Sequence, residues 1–404
     1  MNRRATWLPA LVALAVAVPL VIAGCSSGNS ASTSSLTVED YYNTDPGMTT
    51  WGNLLTKCGK AQGVTIKRNA VPGANLISKV LQQASSRTLP DVLMLDNPDL
   101  QQIAGSGALS PLSTYGITTD GYAKGVVQAS TYQGQLYGLQ PITNTIALYY
   151  NKDILAKAGV QPPKTWDELK VDAKKLTVGK QYGMAFSAIN TYEGTWQFLP
   201  FMWTNGGDEK TVASAQNAQA LQLWVDLVKD HSVSASAVNW AQADVNDQFK
   251  AGNAAMMVNG PWQQPVLDTT AGLHYGIVQI PTPKAGQTTV APLGGETWTV
   301  PQTGDKNRQA AAAKFVTCLN SDANQLAIAK LTQTIPTKTA VAQQFAIQDP
   351  AMKTYVDLVP SLRARTGELG ADWPKAATKI YTAVQAALAG GVPPMKALQQ
   401  AQNG

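Results

Sequence analysis

The sequence predicts an α/β protein of two lobes. Two observations carry this. Segments of strand and helix character alternate from residue 36 onward, with no internal repeat and no long internal linker. About 370 residues follow the N-terminal leader and tether, enough for two ordinary domains.

The elements follow in order. Residues 36–42 alternate in polarity and form the first expected strand. A helix is expected over 51–62, ended by Gly63, and a strand over 64–69. Leu76, Val80 and Leu81 share one face of a helix over 74–86. The stretch 91–95, D-V-L-M-L, is a short apolar strand. This rhythm indicates a parallel sheet covered by helices. A short helix over 98–107 and strands over 135–140 and 145–151 come next. Thr165 and Glu168 form a capping-box pattern that opens a helix through 176. A strand over 181–187 precedes helices over 215–230 and 240–252. The strand over 254–259 ends at Gly260-Pro261-Trp262, and another over 296–300 follows Gly294-Gly295. Helices are expected over 306–319, 322–331, 350–362 and 374–389, with a last short one after Pro393-Pro394.

The first 35 residues carry a different message. Asn2, Arg3 and Arg4 make a short positive start, and residues 5–23 form an apolar run. Ile22-Ala23-Gly24-Cys25 ends it with small residues before a cysteine, as an export signal does. The run is long enough to span a bilayer, but Pro9, Pro19 and the small residues before Cys25 favour cleavage over anchoring. The tetrapeptide resembles the lipobox of bacterial lipoproteins, which implies a signal peptide over 1–24 and diacylglycerol on Cys25. Paired acyl chains hold a protein at a bilayer firmly, at about 0.8 kcal/mol per buried methylene. Residues 26–35 are nearly all Ser, Thr, Gly, Asn and Ala, a flexible tether. The G-x-S-x-G match over 24–28 straddles this cut and lacks the strand and helix a nucleophile elbow needs.

Composition excludes several classes. The net charge is about +3 once Arg3 and Arg4 leave with the leader, and no basic block grips nucleic acid. His231 and His274 stand apart from each other and from cysteine, so no metal site is expected. No Walker loop, H-E-x-x-H or G-x-G-x-x-G occurs, and no cofactor is expected. Cys58 and Cys318 remain in an exported chain, where pairs oxidise, so a disulfide between them is expected; two separate buried thiols are the alternative.

Four segments together carry a family resemblance. They are Leu148-Tyr149-Tyr150-Asn151-Lys152-Asp153 with Pro163-Lys164-Thr165-Trp166-Asp167-Glu168-Leu169; residues 249–262, F-K-A-G-N-A-A-M-M-V-N-G-P-W; Pro292-Leu293-Gly294-Gly295; and the terminal helix pair with Ala389-Gly390-Gly391. In this order and spacing the chain resembles the extracellular solute-binding proteins of ATP-driven (ABC) importers, within them the sugar-binding group that includes maltose-binding protein. The resemblance spans nearly everything from Leu36 onward. It implies a periplasmic-binding-protein-like fold with a ligand cleft between lobes joined by a multi-crossing hinge. Lobe one would hold 36–151 and 296–346, lobe two 152–295 and 347–404. Both Cys58 and Cys318 would then lie in lobe one. The implied partners are a small carbohydrate and the permease subunits of the importer, met at the outer face of the membrane by a lipid-anchored monomer. No enzymatic step is implied.

Sugar binding needs aromatic plates for C–H faces and carboxylates or amides for hydroxyls. Trp outnumbers Phe here, ten to six, and indole offers a wide apolar face with one donor. Trp262, beyond a strand end, is the leading plate. Trp196, Trp298 and Trp373 follow, while Trp166 and Trp224 read as packing. Asp96 and Asn97 follow the 91–95 strand, and Asn43 and Thr44 the first strand, where α/β sheets bind ligands; a helix cap is the plainer role for Asp96 and Asn97. Asn144 sits before the hinge strand. Gly294 and Gly295 let backbone approach the ligand or hinge, and Glu296 offers a carboxylate. Arg365 is the basic candidate, with a solvated charge as its plainer reading. Two rivals stand beside the sugar receptor: the same fold binding a non-sugar such as a glycerophosphodiester, and a surface-anchored glycosidase, which would need two carboxylates at a set separation.

Overall fold

The computed structural model describes residues 33–404. The leader, the tether and Cys25 lie outside the described residues.

Two sheets organise the chain. The first has five strands in the order Thr65–Ala70, Ser35–Asp40, Val92–Asp96, Glu296–Thr299, Gly138–Leu139. The first three are parallel, as the strand–helix rhythm requires. Glu296–Thr299 runs antiparallel to both its neighbours, so the sheet is mixed rather than parallel. That strand returns from two hundred residues away in sequence, and local patterning says nothing of its direction. The second sheet has the order Tyr275–Val278, Ala147–Asn151, Ala254–Asn259, Tyr182–Ala185.

One boundary needs correction. Residues 147–151, expected in lobe one, are hydrogen-bonded into the second sheet, antiparallel to Ala254–Asn259 and Tyr275–Val278. The chain therefore leaves the first sheet before Ala147. An apolar strand shows its periodicity in sequence but not the sheet it joins.

Burial follows this layout. One core packs Leu36, Val38, Leu93 and Leu95 against Trp51, Leu55, Phe315 and Val316 of the covering helices. The other packs Leu148, Met256 and Val258 against Phe198, Trp224 and Ile380. A small third cluster, with Val126, Ala291, Leu293, Leu362 and Ala364, lies where Pro292–Leu293 pairs in parallel with Arg363–Ala364. Ile142–Thr143 pairs with Ile335–Pro336 nearby. Cys58 and Cys318 are joined by a disulfide between the helices Gly47–Ala61 and Lys306–Leu319.

Local signals explain several elements. The Thr165 hydroxyl accepts from the Glu168 N–H, and the Glu168 carboxylate accepts from the Thr165 N–H, both at 3.2 Å. The helix Tyr192–Thr204 has no such advertisement beyond its Thr191 cap, and it contains Pro200. Proline inside a helix costs roughly 3 kcal/mol. Here Gly194 through Thr204 are all buried, and that burial outweighs the break.

Candidate functional site

Residues just beyond the strand ends of both sheets line one cleft of about 520 Å³. On one wall, Tyr41 and Tyr42 directly follow the strand Ser35–Asp40. Tyr42 stacks on Trp51, with ring centroids 5.0 Å apart and planes 18° apart. On the other wall stand Tyr192, Glu193 and Trp196, from the first turns of the Tyr192–Thr204 helix, together with Gln242 and Trp262. The floor is made by Asp96, Asn144, Gly294, Gly295 and Glu296, with Arg365 beside them.

The glycines are required by space. A Cβ on Gly294 would lie 1.9 Å from Asn144 Oδ1 and 2.6 Å from the Trp196 ring. Gly295 has φ of +110°, where L side chains are strained, and its carbonyl accepts from the Asn97 N–H. The Thr143 hydroxyl donates to the Gly294 carbonyl at 2.7 Å, which holds this crossing in place. Gly260 likewise makes room for Trp262, whose ring would meet a Cβ at 2.0 Å.

Arg365 is the centre of the electrostatics. It is 5% exposed and donates through both Nη atoms to Asp96, at 2.6 and 3.2 Å, and through Nη2 to Asn97 Oδ1 at 3.1 Å. Its guanidinium carbon lies 4.8 Å from the Trp196 ring centre and 5.4 Å from that of Trp373. Such contacts favour a desolvated cation over an aromatic face. Glu296 is nearly buried and accepts a short hydrogen bond from the Tyr41 hydroxyl. Burial pushes its carboxyl above the ordinary range, while the Tyr41 and Tyr42 phenols oppose the shift. Asp99, one turn past Asp96, is pushed up to about 7 by burial and by the Asp96 charge.

The cleft brings together Trp262, Asp96, Asn144, Trp196, Gly294, Gly295, Glu296 and Arg365 of the expected residues. Five others stand elsewhere. Asn43 and Thr44 are exposed and do not line the cleft, although Tyr42 before them and Pro46 after them do; the strand-end argument pointed to the correct turn, but Tyr41 and Tyr42 are its lining residues. Asn97 is buried and clamps the hinge, donating to the Leu293 carbonyl at 3.2 Å. Trp298 is fully buried and packs on Trp51 at 5.3 Å. Trp373 is fully buried beneath Arg365. Sequence reasoning missed Tyr41, Tyr42, Tyr192, Glu193 and Gln242. For the first two a signal existed, since aromatics directly after a strand suit a binding loop. For Tyr192 and Glu193 the helix itself was not recognised, and Gln242 opens an expected helix without any local sign that it faces a cleft.

Comparisons with known proteins agree with this architecture. The profile for bacterial extracellular solute-binding proteins matches residues 53–354. A binding protein of Brucella abortus (strain 2308) is 28% identical over 238 residues, which covers 55% of this chain and 57% of that one. The match thus spans little more than half of that relative's length. The maltooligosaccharide ABC transporter solute-binding lipoprotein of Streptococcus pneumoniae (strain ATCC BAA-255 / R6) is 25% identical over 80% of this chain and 77% of its own. The solved structure of T. maritima MalE3 with maltose bound superposes with a TM-score of 0.81 at 23% identity, covering 92% of this chain and 98% of that chain. The cleft between two α/β sheets is therefore set in a known frame, and the chain belongs to the bacterial extracellular solute-binding proteins.

Proposed function

We propose that this protein is the lipid-anchored receptor of an ABC importer, which captures a carbohydrate in the cleft and delivers it to a membrane permease without altering it. The observation that carries this reading is the lining of the cleft. Trp196, Trp262, Tyr41 and Tyr42 supply faces for C–H groups, and Asp96, Asn144 and Glu296 supply acceptors for hydroxyls. A glycerophosphodiester would need an available cation. Arg365 is the one cationic side chain of the lining, and Asp96 and Asn97 already engage it. The relatives named above are binding proteins, in keeping with capture rather than turnover.

The mechanism is hinge closure. Lobe one comprises the first sheet and its helices, and lobe two the second sheet with the terminal helices. The crossings lie near Asn144, near Pro292–Gly295 and near 346–350. A ligand touching Tyr41 and Glu296 on one side and Trp196 and Trp262 on the other binds the closed form better, and closure follows from that differential affinity. Lipid on Cys25 and the tether of 26–35 would keep the receptor beside its permease and raise its effective concentration there. Among the described residues no helix is long and apolar enough to cross a membrane.

Titration of intrinsic Trp fluorescence with mono-, di- and oligosaccharides tests the reading. Saturable quenching or enhancement by a sugar is expected. Saturable binding only to a phosphodiester, or release of hydrolysed sugar, would overturn it. Mass spectrometry of the membrane-bound protein checks for diacylglycerol at Cys25.

A further inference from the structure

Glu296 is a buried carboxyl of the cleft with no cationic partner. Its register partner on the neighbouring strand is Asp96, so two carboxylates sit side by side at the strand ends. Like charges directly opposite across a strand pair destabilise a sheet. Arg365 relieves one of them, pairing with Asp96 at 2.6 Å. Glu296 and the cleft-lining Glu193 take part in none of the ion pairs among the described residues. The lining thus carries two carboxyl groups without a cationic partner, one of them only 6% exposed, in a chain whose formal net charge is +5. The acidity is local to the cleft. Low-dielectric walls with charge of one sign focus the field and concentrate counter-charge. Aromatic faces also attract cations.

A buried carboxylate is costly unless paired. Tyr41 supplies a hydrogen bond to Glu296 but no positive charge. We propose that the ligand of this cleft is a carbohydrate bearing a protonated amine, with the ammonium seated against Glu296 between the aromatic walls. This rests on the carbohydrate reading above and sharpens it to a substrate class. A neutral sugar offers the same carboxylate a hydroxyl but no counter-charge. N-acetylation removes the charge from the nitrogen, and a uronic acid adds another carboxylate to an already acidic cleft.

The test is calorimetric titration of the protein with matched forms of each saccharide: neutral, free-amino, N-acetylated and uronic. A hydrogen bond with both partners charged exceeds a neutral one enough to give about a 10-fold preference for the free-amino form over the N-acetylated form. The uronic form is expected to bind weakest. Glu296→Gln should abolish the preference between the amino and N-acetylated forms, a ratio that a general loss of affinity would leave intact. If that variant does not fold, the wild-type ratio still decides. Neutral or N-acetylated sugars binding as tightly as the amino form would overturn the amine assignment and leave the carbohydrate reading standing. Persistence of the preference in Glu296→Gln would overturn the role of Glu296. Saturable binding to some other solute, with none to any saccharide, would remove both.

Discussion

Replacing Gly294 by alanine tests the site with the smallest possible change. The new Cβ would stand 1.9 Å from Asn144 Oδ1 and 2.6 Å from the Trp196 ring, where ordinary contacts begin near 3.4 Å. Asn144 must therefore retreat by about 1.5 Å and Trp196 by nearly 1 Å, unless the crossing itself yields. The crossing is held by the Thr143 hydroxyl and by the Gly294 N–H donating to the Asn144 carbonyl at 2.8 Å, so the side chains are expected to give way. Overpacking of this kind costs about 1–3 kcal/mol of stability. Trp196 is 6% exposed, so its ring has little free space to enter. A radial gap near 1 Å forfeits up to about half of each dispersion contact. With an amide acceptor displaced as well, the loss in ligand binding should reach about 1.4 kcal/mol, or tenfold in Kd. Thermal melting and fluorescence titration read the two effects separately. A lowered melting temperature with unchanged affinity would refute the placement of Asn144 and Trp196 against the ligand.

Other expectations follow from the same geometry. Converting Cys58 and Cys318 to serine opens a link across 260 residues, and loop-closure entropy puts the cost at no more than about 5–6 kcal/mol; urea unfolding measures it, and the unreduced wild type should show neither thiol as free. Trp262→Ala should weaken binding at least about 10-fold with little change in melting, whereas Trp298→Ala, deep in the first core, should cost about 3–5 kcal/mol of stability. Equal effects of these two on stability would contradict the assignment of Trp262 to the cleft wall. Asp99 retains in the fold, up to about pH 7, a proton that the unfolded chain releases near pH 4. The folded state then binds more protons than the unfolded state across that window, so this group's contribution to stability falls as pH rises from about 4 to 7 and is fully unfavourable above it. Asp99→Asn should flatten that part of the stability profile, and an unchanged slope would show that Asp99 is ionised in the fold.

The parts legible in sequence were those governed by local physics. The strand–helix rhythm from 36 to 95, the Thr165 capping box and the long C-terminal helix need only nearest neighbours to be recognised. Trp262 was legible because Gly260-Pro261 ends a strand and leaves the indole at its mouth. Asp96 and Arg365 were each legible as strand-end or loop polar groups, but their pairing was not. The two lie 269 positions apart, and only the return of the terminal segment brings them together.

The helix Tyr192–Thr204 marks the limit of local reasoning. Its Pro200 argues against a helix, and burial on every side, which sequence alone does not display, forms it nonetheless. With that helix came Tyr192, Glu193 and Trp196, most of one wall of the cleft. Tertiary structure also separated the tryptophans by role. Trp298 and Trp373 were candidate plates beside Trp262, yet both are sealed inside, one against Trp51 and the other under Arg365. Sequence by itself determined an α/β chain with aromatic and acidic residues at its strand ends, because those features are encoded by period and punctuation, while the family was legible only through the resemblance of its motif segments. Which of them face a ligand was decided by long-range contacts: the antiparallel return of Glu296–Thr299 beside Asp96, and the closing of the terminal segment over it. A side chain's environment depends on what packs against it, and that partner is hundreds of residues away.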